Sequence, residues 1–332
     1  MKPDFWPELP RPFFCLAPME DVTDTVFREI VLQEAAPGCL HVLFTEFTST
    51  DGLCHPKARA RVALRLRVNE SERRLLRERG TKIVAQIWGN NPEKYRQAVR
   101  LIRDEMDFDG IDVNMGCPVK EVVKRGSCAA LIGDPERAKE IVLATKEEAD
   151  VPVSVKTRTG LNEHVTESWI GHLLDVAPAA IILHGRTQKA QSKLPADWDE
   201  IAKAVRLRDA RGSATVIAGN GDAGSLADAR AKAAASGVAG VMVGRAIFRD
   251  PWFFRDQPPE ATRAQRLDLL WRHTRLFAET WGDTKHFPIL KKFYRIYAAG
   301  FADASELRVR LMAAANPADV RAALDVPTGA GG

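Results

Sequence analysis

Residues 151–187 read VPVSVKTRTGLNEHVTESWIGHLLDVAPAAIILHGRT, and this stretch decides the fold. Its two ends, residues 151–157 and 180–184, are short runs rich in apolar and β-branched residues, whereas residues 164–176 have the spacing of a helix with one apolar face. A nearly continuous apolar strand, a helix and a second such strand are typical of parallel strands that are covered on both faces.

The same unit recurs along the chain. Strand-like runs occupy residues 13–17, 42–47, 83–88, 110–114, 151–157, 180–184, 215–219 and 240–244, and helical segments occupy residues 23–34, 92–104, 135–149, 164–176, 197–208 and 225–236. Eight such units within about 250 residues favour a closed (β/α)8 barrel over an open doubly wound sheet.

The strand pattern stops after Pro251. Beyond it, the predicted helices are residues 262–282, 286–299, 304–315 and 317–324. We therefore predict an α/β fold in two domains, a TIM barrel over residues 1–255 and a small all-helical domain over residues 256–332. The last six residues, PTGAGG, are predicted to form a frayed tail.

The composition of the 332 residues excludes several classes of protein. Apolar residues make up 45% of the chain and the net charge is only +4, which argues against a disordered or collagen-like chain. The five cysteines show neither CxxC nor mixed Cys/His spacing, so we expect neither disulfides nor a metal site. We see no export signal and no apolar run of about 18 residues, so we expect a cytoplasmic protein without a membrane segment.

Two stretches are strongly basic within this nearly neutral chain. Residues 57–82 carry ten Lys or Arg against three Glu, and residues 285–310 carry six against two acids, with five aromatic residues among them. One interpretation is solvated helix faces beside the aromatic core of a helical unit. The other is a surface that contacts nucleic-acid phosphates, with exposed aromatic residues beside it.

In a (β/α)8 barrel the chemistry lies on the loops that follow the carboxyl ends of the strands. Here polar or small residues end nearly every strand, in the segments APME (17–20), TEF (45–47), QIWG (86–89), NMGCP (114–118), KTR (156–158), HGRT (184–187), GNGD (219–222) and GR (244–245). A purely structural barrel has no need of amide, ammonium, imidazole and thiol groups at one rim. Their convergence therefore predicts a functional site.

Residues 219–224, GNGDAG, match GxGxxG formally but do not predict a dinucleotide-binding fold. The motif follows the seventh strand instead of the first, and residues 231–249 contain no Asp or Glu. Loops after strands seven and eight of a barrel commonly bind phosphate, so Gly221, Gly244 and Arg245 predict a phosphorylated ligand. The alternative is that the glycines only permit the turns.

Three side chains at the predicted rim carry reactive groups. The ammonium of Lys156 ends an apolar strand, which favours a contact with a ligand anion or an electron-rich ring, or else a Schiff base of the aldolase type. His184 fits a base, a hydrogen-bond donor to a cofactor or a structural histidine. Cys117, in a Gly-Cys-Pro turn, fits a nucleophile or a proton donor, because a thiol with an ordinary pKa of about 8.5 is protonated at pH 7. Cys128 is a rival to Cys117 on the same grounds.

Taken as an ordered set, the motifs resemble those of the bacterial tRNA-dihydrouridine synthases. The matching segments are APM (17–19), NMGCP (114–118), VKTR (155–158), HGRT (184–187), NGD (220–222) and GR (244–245), and the likeness covers residues 13–255 closely. The resemblance implies an FMN-dependent (β/α)8 barrel, reduced by NADPH, that converts a uridine of tRNA to 5,6-dihydrouridine. It also implies a C-terminal helical domain that helps to hold tRNA.

The resemblance further implies a role for each matching residue. Ala17, Pro18, Met19 and Gln86 would line the flavin ring, Lys156 and His184 would lie at its polar edge, and Asn220, Gly221, Asp222, Gly244 and Arg245 would surround the ribityl chain and phosphate. Cys117 matches the catalytic cysteine and is preferred over Cys128, so that hydride passes from flavin N5 to C6 of the base and Cys117 gives a proton to C5. Asn114 and Arg186 are expected near the substrate, and Lys291, Lys292 and Arg295 are expected to contact tRNA phosphates.

Two departures from the family pattern concern the substrate side. The loop QKAQSKL (188–194) lacks the aromatic residue that many relatives carry, and Ser49 stands where some relatives have Arg.

Two other functions compete with the one that the resemblance implies. One is an FMN barrel that reduces a free pyrimidine, of the dihydroorotate or dihydropyrimidine dehydrogenase type, and the other is a non-catalytic tRNA-binding barrel. We expect the protein to be a monomer.

Overall fold

The computed structural model describes residues 2–256 and 260–325. Its strands are β1 (Phe13–Leu16), β2 (Val42–Phe44), β3 (Thr48–Ser49), β4 (Lys82–Trp88), β5 (Gly110–Met115), β6 (Val153–Gly160), β7 (Ala180–Thr187), β8 (Val216–Asn220) and β9 (Gly240–Val243). All pairings are parallel, β1 pairs with both β2 and β9, and β2 also pairs with β4, so the sheet closes on itself. The predicted (β/α)8 barrel is confirmed.

The second strand of the barrel is divided, unlike the continuous run predicted over residues 42–47. Both β2 and β3 pair with β4, the first at its start and the second at its end, so the two pieces act as one of eight strands. Between them, the hydroxyl of Thr45 accepts a hydrogen bond from the backbone N–H of Gln86 at 3.0 Å. This side-chain contact replaces a bond of the strand ladder, so the N–H of Gln86 stays paired where the chain leaves the sheet.

Helices surround the barrel. They are α1 (Thr25–Glu34), α2 (Thr50–Cys54), α3 (Pro56–Ala63), α4 (Glu70–Arg79), α5 (Pro92–Glu105), α6 (Lys120–Lys124), α7 (Pro135–Glu148), α8 (Thr166–Asp175), α9 (Trp198–Ala210) and α10 (Leu226–Ser236). The six predicted helices correspond to α1, α5 and α7 to α10, and the side chains of Asp24, Asn91, Asp134, Asp197 and Ser225 cap five of them. The sequence did not predict α2, α3, α4 and α6, which lie in the connections between strands.

The barrel interior changes from apolar to polar along the strands. Its lower part is a cluster that includes Phe13 and the inward-facing residues Val84, Ile182 and Ala218. Trp6 packs against Phe13 with ring centroids 5.6 Å apart and so closes the amino end of the barrel. Because inward positions recur every second residue, the next ones toward the carboxyl ends are Gln86, His184 and Asn220. The polar half of the interior thus faces the predicted site.

The C-terminal portion is helical, as predicted. It contains α11 (Arg263–Trp281), α12 (Lys291–Tyr297), α13 (Ala304–Ala313) and α14 (Pro317–Asp325). The predicted helix over residues 286–299 begins as a 3₁₀ turn over Phe287–Leu290. The predicted frayed tail, residues 327–332, lies outside the described residues. Among the residues described, no helix is both long and apolar enough to cross a membrane.

The C-terminal portion is attached to the rim of the barrel through buried charges. The indole N–H of Trp281 donates to Asp24 Oδ2 at 2.9 Å, and Lys285 Nζ donates to the same oxygen at 3.0 Å. Lys285 also pairs with Glu46 at 3.5 Å and lies 4.0 Å from the centre of the Trp281 ring. Since Asp24 caps α1 and Glu46 follows β2, this cluster joins the helical portion directly to two loops beside the site.

The ion pair between Arg28 and Glu72 joins α1 to α4, and both side chains are fully buried. Replacing Arg28 by Met is expected to lower the free energy of unfolding by about 3–5 kcal/mol, because Glu72 is left as an uncompensated buried charge. Adding Glu72→Leu should recover most of this loss in urea unfolding. The exposed pair Arg77–Glu70 is the control, since Arg77→Met should cost less than about 1 kcal/mol. An equal loss in both single variants would contradict this assignment.

Candidate functional site

A cleft of about 670 Å³ opens at the carboxyl ends of the strands. Its wall includes most of the residues predicted for a cofactor, namely Ala17, Pro18, Met19, Lys156, His184, Asn220, Gly221, Asp222, Gly244 and Arg245, together with Arg186. These residues come from the ends of β1, β6, β7, β8 and β9, which only a closed barrel brings together. The volume is in the range of small-molecule and cofactor sites.

The cleft is lined mainly by positive charge. Lys156, Arg158, Arg186, Arg245 and Arg249 contribute to its wall, and among the described lining residues Asp222 alone carries a carboxylate. Asp222 accepts hydrogen bonds from Arg186 and, at 3.4 Å, from Arg245. One carboxylate cannot neutralise this number of cations, so the cleft favours an anionic ligand such as a phosphate group.

Lys156 is a cation of the cleft wall on strand β6. Its Nζ donates to Asn220 Oδ1 at 3.2 Å, and Asn220 is fixed in turn by a 2.7 Å hydrogen bond from its Nδ2 to the carbonyl of Met242. Burial, helped by the nearby Arg158 guanidinium, lowers the pKa of Lys156 to about 8. Among the described residues no carboxylate lies within 4.0 Å of this ammonium. It is therefore placed to meet a ligand anion or an electron-rich ring.

His184 is a neutral imidazole in this setting. Burial lowers its pKa well below the ordinary value, and the surrounding cations, Lys156 and Arg158 first, act in the same direction. Its Nε2 lies 3.1 Å from a guanidinium nitrogen of Arg186, which can only donate. Nε2 therefore accepts, and the proton is assigned to Nδ1, which leaves His184 as a hydrogen-bond donor and not as a cation.

The turn after β8 brings bare backbone to the cleft. Gly221 has φ of +127°, a conformation that residues with a side chain rarely adopt, and a Cβ there would lie 2.5 Å from that of Ala196. Its carbonyl accepts a 3.0 Å hydrogen bond from the indole of Trp198. The positive φ and the close approach of Ala196 explain why glycine is required at this position.

Cys117 lies on the loop after β5, and polar groups hold this loop from two sides. Asn114 Oδ1 accepts hydrogen bonds from the backbone N–H groups of Gly116 and Cys117, each at 3.0 Å. Arg158, which is 7% exposed, donates from Nε to the carbonyl of Gly116 at 2.7 Å. Its Nη1 donates at 3.1 Å to the carbonyl of Thr187, the last residue of β7, and to that of Gln191 in the loop that follows. Because Arg158 also lines the cleft, it connects the thiol loop to the cleft wall.

The two cysteines that compete in the sequence are neighbours in space. A hydrogen bond from the Cys128 thiol lowers the pKa of Cys117 to about 7, and the backbone N–H of Val119 adds to this effect, which outweighs burial. The ordinary pKa assumed from the sequence is therefore too high. Cys128 is fully buried, and burial raises its own pKa well above the ordinary value. Cys128 thus stays protonated, while Cys117 titrates between thiol and thiolate near neutral pH.

Two predicted residues, Gln86 and Asn114, are not in the cleft wall. Both are buried in the barrel, where Asn114 Nδ2 donates to Gln86 Oε1 at 2.9 Å. Sequence reasoning missed the contacts of Arg158 and did not notice Asp112, whose carboxylate binds Gln86. The alternation of β5 is a signal that could have found Asp112, because residues 112 and 114 of one strand face the same side.

The basic stretches are largely engaged within the protein. In residues 57–82, ion pairs join Arg59 to Glu105, Arg65 to Glu20, Arg73 to Asp107 and Arg77 to Glu70. Of the five aromatic residues in the second stretch, Phe293, Tyr294 and Tyr297 are buried, which for these three favours the interpretation as the aromatic core of a helical unit.

The three cations predicted to contact tRNA lie on α12. Lys292 Nζ donates to the carbonyl of Asp21 at 2.5 Å, and Lys291 Nζ donates to the carbonyl of Met312 at 2.6 Å. Arg295 is exposed. Asp21 is two residues from Met19 of the cleft wall, so Lys292 lies at the rim of the site.

Fold and cleft together define an α/β barrel with a cation-lined cleft at the carboxyl ends of its strands and, beside it, a thiol of lowered pKa. Comparison with known proteins identifies the family within this class. The family model described as dihydrouridine synthase matches residues 15–328, and the chain belongs to that family.

Curated proteins from bacteria match over nearly the whole chain. The "Probable tRNA-dihydrouridine synthase" of Staphylococcus aureus (strain COL) is 43% identical over 98% of this chain and 96% of that protein. The "Probable tRNA-dihydrouridine synthase 2" of Bacillus subtilis (strain 168) is 40% identical over 98% and 97%.

Solved structures of low sequence identity share the fold. TcOYE with pHBA has a TM-score of 0.50 and 12% identity over 81% of this chain and 93% of that chain. A complex of 2-naphthoyl-CoA reductase with 2-naphthoyl-CoA has a TM-score of 0.53 and 10% identity over 73% and 49%. At these identities the two likenesses show a shared fold and nothing more.

Removing the Cys128 thiol should change the acidity of Cys117. In Cys128→Ala the thiolate of Cys117 loses a donor, so its pKa should rise by about one unit and its alkylation at pH 7 should slow several-fold. The pH dependence of iodoacetamide labelling, followed by mass spectrometry of the Cys117 peptide, measures this shift. Cys54→Ala is the control, because Cys54 bonds to the carbonyl of Lys94 elsewhere. An unchanged midpoint in Cys128→Ala would show that the two thiols do not interact.

Proposed function

We propose that this protein reduces a uridine of tRNA to 5,6-dihydrouridine, with bound FMN as hydride carrier and NADPH as reductant. The observation that carries the proposal is a single rim on which Arg158 links the Cys117 loop to a cation-lined cleft. The family of the chain and the names of its relatives in Staphylococcus aureus and Bacillus subtilis support tRNA as the substrate. A tRNA substrate also agrees with the expected cytoplasmic location.

The residues of the cleft fit FMN. Arg245 and the backbone beside Gly221 and Gly244 would hold the phosphate, and Lys156 would contact the polar edge of the ring. Asp222 would hold Arg186 and Arg245 in place. Its carboxylate would not itself face the phosphate, because the carboxylate and the phosphate are both anionic. Bound FMN supplies hydride chemistry that no side chain can perform.

Cys117 is proposed as the acid that protonates C5 of the uracil from the face opposite the flavin. Proton donation requires the thiol form, which prevails below its pKa of about 7. Asn114 would fix the backbone that carries this thiol. The base must leave the tRNA stack to reach the rim, which requires protein surface beyond the cleft to hold the rest of the tRNA.

We further propose that the chain acts as two units, with residues 1–255 holding the cofactor and residues 256–332 binding tRNA. Three cations of α12, Lys291, Lys292 and Arg295, would contact the tRNA phosphates. Lys291 and Lys292 now bond to exposed backbone carbonyls, contacts that a phosphate can replace at little cost.

Replacing Cys117 by Ala is expected to reduce dihydrouridine formation by at least about 100-fold, because general acid catalysis contributes on that order. Flavin content and tRNA affinity should stay at the parent level. Dihydrouridine is measured by mass spectrometry of digested tRNA after single turnover. Cys128→Ala, which removes the neighbouring thiol, should keep most of the activity. Full turnover by Cys117→Ala would exclude the proton-donor role.

Replacing Lys291, Lys292 and Arg295 by Met should weaken tRNA binding. The slope of log Kd against the logarithm of the salt concentration should fall by about two to three, since each phosphate contact contributes about 0.7–0.9 to that slope. Reduction of the flavin by NADPH should not change. The matched control removes Arg137, Lys139 and Arg206 from the outer helices α7 and α9, and it should bind tRNA like the parent. Salt-independent or absent tRNA binding by the parent would instead favour a free pyrimidine as substrate.

A further inference from the structure

A chain of buried hydrogen bonds leads from Asp112 to the backbone of Cys117. Asp112 Oδ2 accepts from Gln86 Nε2 at 2.7 Å, and Gln86 Oε1 accepts from Asn114 Nδ2 at 2.9 Å. Asn114 Oδ1 then accepts from the N–H groups of Gly116 and Cys117 at 3.0 Å each. Three strand residues thus connect the centre of the barrel to the thiol loop.

Each link allows only one orientation of the next. An ionised carboxylate accepts hydrogen bonds and cannot donate them, so Gln86 must turn its NH₂ group toward Asp112 and its oxygen toward Asn114. Asn114 must then donate with Nδ2, which leaves its oxygen for the backbone of the thiol loop. Gln86 and Asp112 are fully buried and Asn114 is 5% exposed, so water cannot take the place of a missing partner.

The charge of Asp112 is compatible with this arrangement. Burial raises its pKa to about 6, while hydrogen bonds from Ser154 and Gln86 and the charge of Lys156 oppose the rise. Ser154 Oγ donates to Asp112 Oδ1 at 2.6 Å, on the side away from the chain of amides. The carboxylate therefore prevails above pH 6, at the centre of the barrel and without contact to the cleft.

We propose that Asp112 is a positioning residue for the Cys117 thiol and acts through the amides of Gln86 and Asn114. Its importance for the reaction rests on the proposed role of Cys117. Without Asp112 both amides can rotate, the N–H of Cys117 loses its fixed acceptor, and the sulfur is no longer held beside Cys128 and the N–H of Val119. The thiol should then lose the contacts that stabilise its anion.

The test measures alkylation of Cys117 by iodoacetamide in the flavin-loaded protein, with the Cys117 peptide quantified by mass spectrometry at a series of pH values. Asp112→Leu should slow alkylation at pH 7 about fivefold and move its midpoint upward, because the thiolate is less stabilised. Asp112→Asn should stay within about twofold of the parent, since its oxygen still accepts from Gln86 and its NH₂ can donate to Ser154. Ser154→Ala, which removes the other contact of the same carboxylate, is compared at pH 8 so that Asp112 stays ionised without that bond, and there it should alkylate like the parent.

A double-mutant cycle separates positioning from a general loss of structure. In the Asn114→Ala background the last link is absent, so adding Asp112→Leu should change the alkylation rate by less than about twofold. An equal slowing in both backgrounds, or none in the parent, would overturn the proposal. Where Asp112→Leu does not fold, Gln86→Met cuts the chain at its middle link and should give the same pattern, and its failure to slow alkylation would overturn the proposal as well.

Dihydrouridine formation distinguishes this inference from the proposed function. Asp112→Leu should lower kcat and leave KM for tRNA unchanged, because it acts on the thiol and not on tRNA binding. Slow alkylation in Asp112→Leu combined with full turnover in Cys117→Ala would retain the positioning chain and reject the function proposed for the thiol.

Discussion

The burial of polar groups inside a closed parallel barrel is the constraint on which the site depends. Gln86, Asp112, Asn114 and Ser154 all lie in the upper interior, where water is excluded. Such groups are costly unless they find partners in the protein, and the partners available are one another and the backbone of the loop after β5. The barrel core therefore determines the position of the loop that carries Cys117. The Gly-Cys-Pro sequence of this loop would by itself allow several positions.

Electrostatics couples the cleft to this interior. Burial, and after it the neighbouring cations at the strand ends, lowers the pKa of Lys156 and of His184, because each charged form must be stabilised without water and beside other positive charges. An anionic ligand in the cleft would relieve this repulsion. Cys117, in contrast, gains acidity from hydrogen bonds more than from charge, with Cys128 as the main donor. Thiol acidity therefore depends mainly on Cys128, which does not line the cleft, while Arg158 is a residue that both regions share.

The sequence predicts the barrel and most of the cleft wall because both follow from periodic patterns and from the rule that strand ends meet at one rim. It could not show that β2 and β3 form one divided strand, since the hydroxyl of Thr45 that replaces a ladder bond is a tertiary contact. A count of Lys and Arg within residues 57–82 overestimates how many of these cations lack an acidic partner. The acids that pair with Arg59, Arg65 and Arg73 are distant in sequence. Likewise, only the fold brings Cys128 beside Cys117.

The central claim is that a flavin and the Cys117 thiol act on opposite faces of one uracil ring. In D₂O, the exchangeable N5 hydrogen of the reduced flavin and the thiol hydrogen are both deuterium, so the reaction labels C6 and C5 of the product. Coupling constants in the NMR spectrum of the isolated dihydrouridine report the relative faces of the two labels. The account predicts deuterium on opposite faces of C5 and C6, and labels on the same face would contradict it.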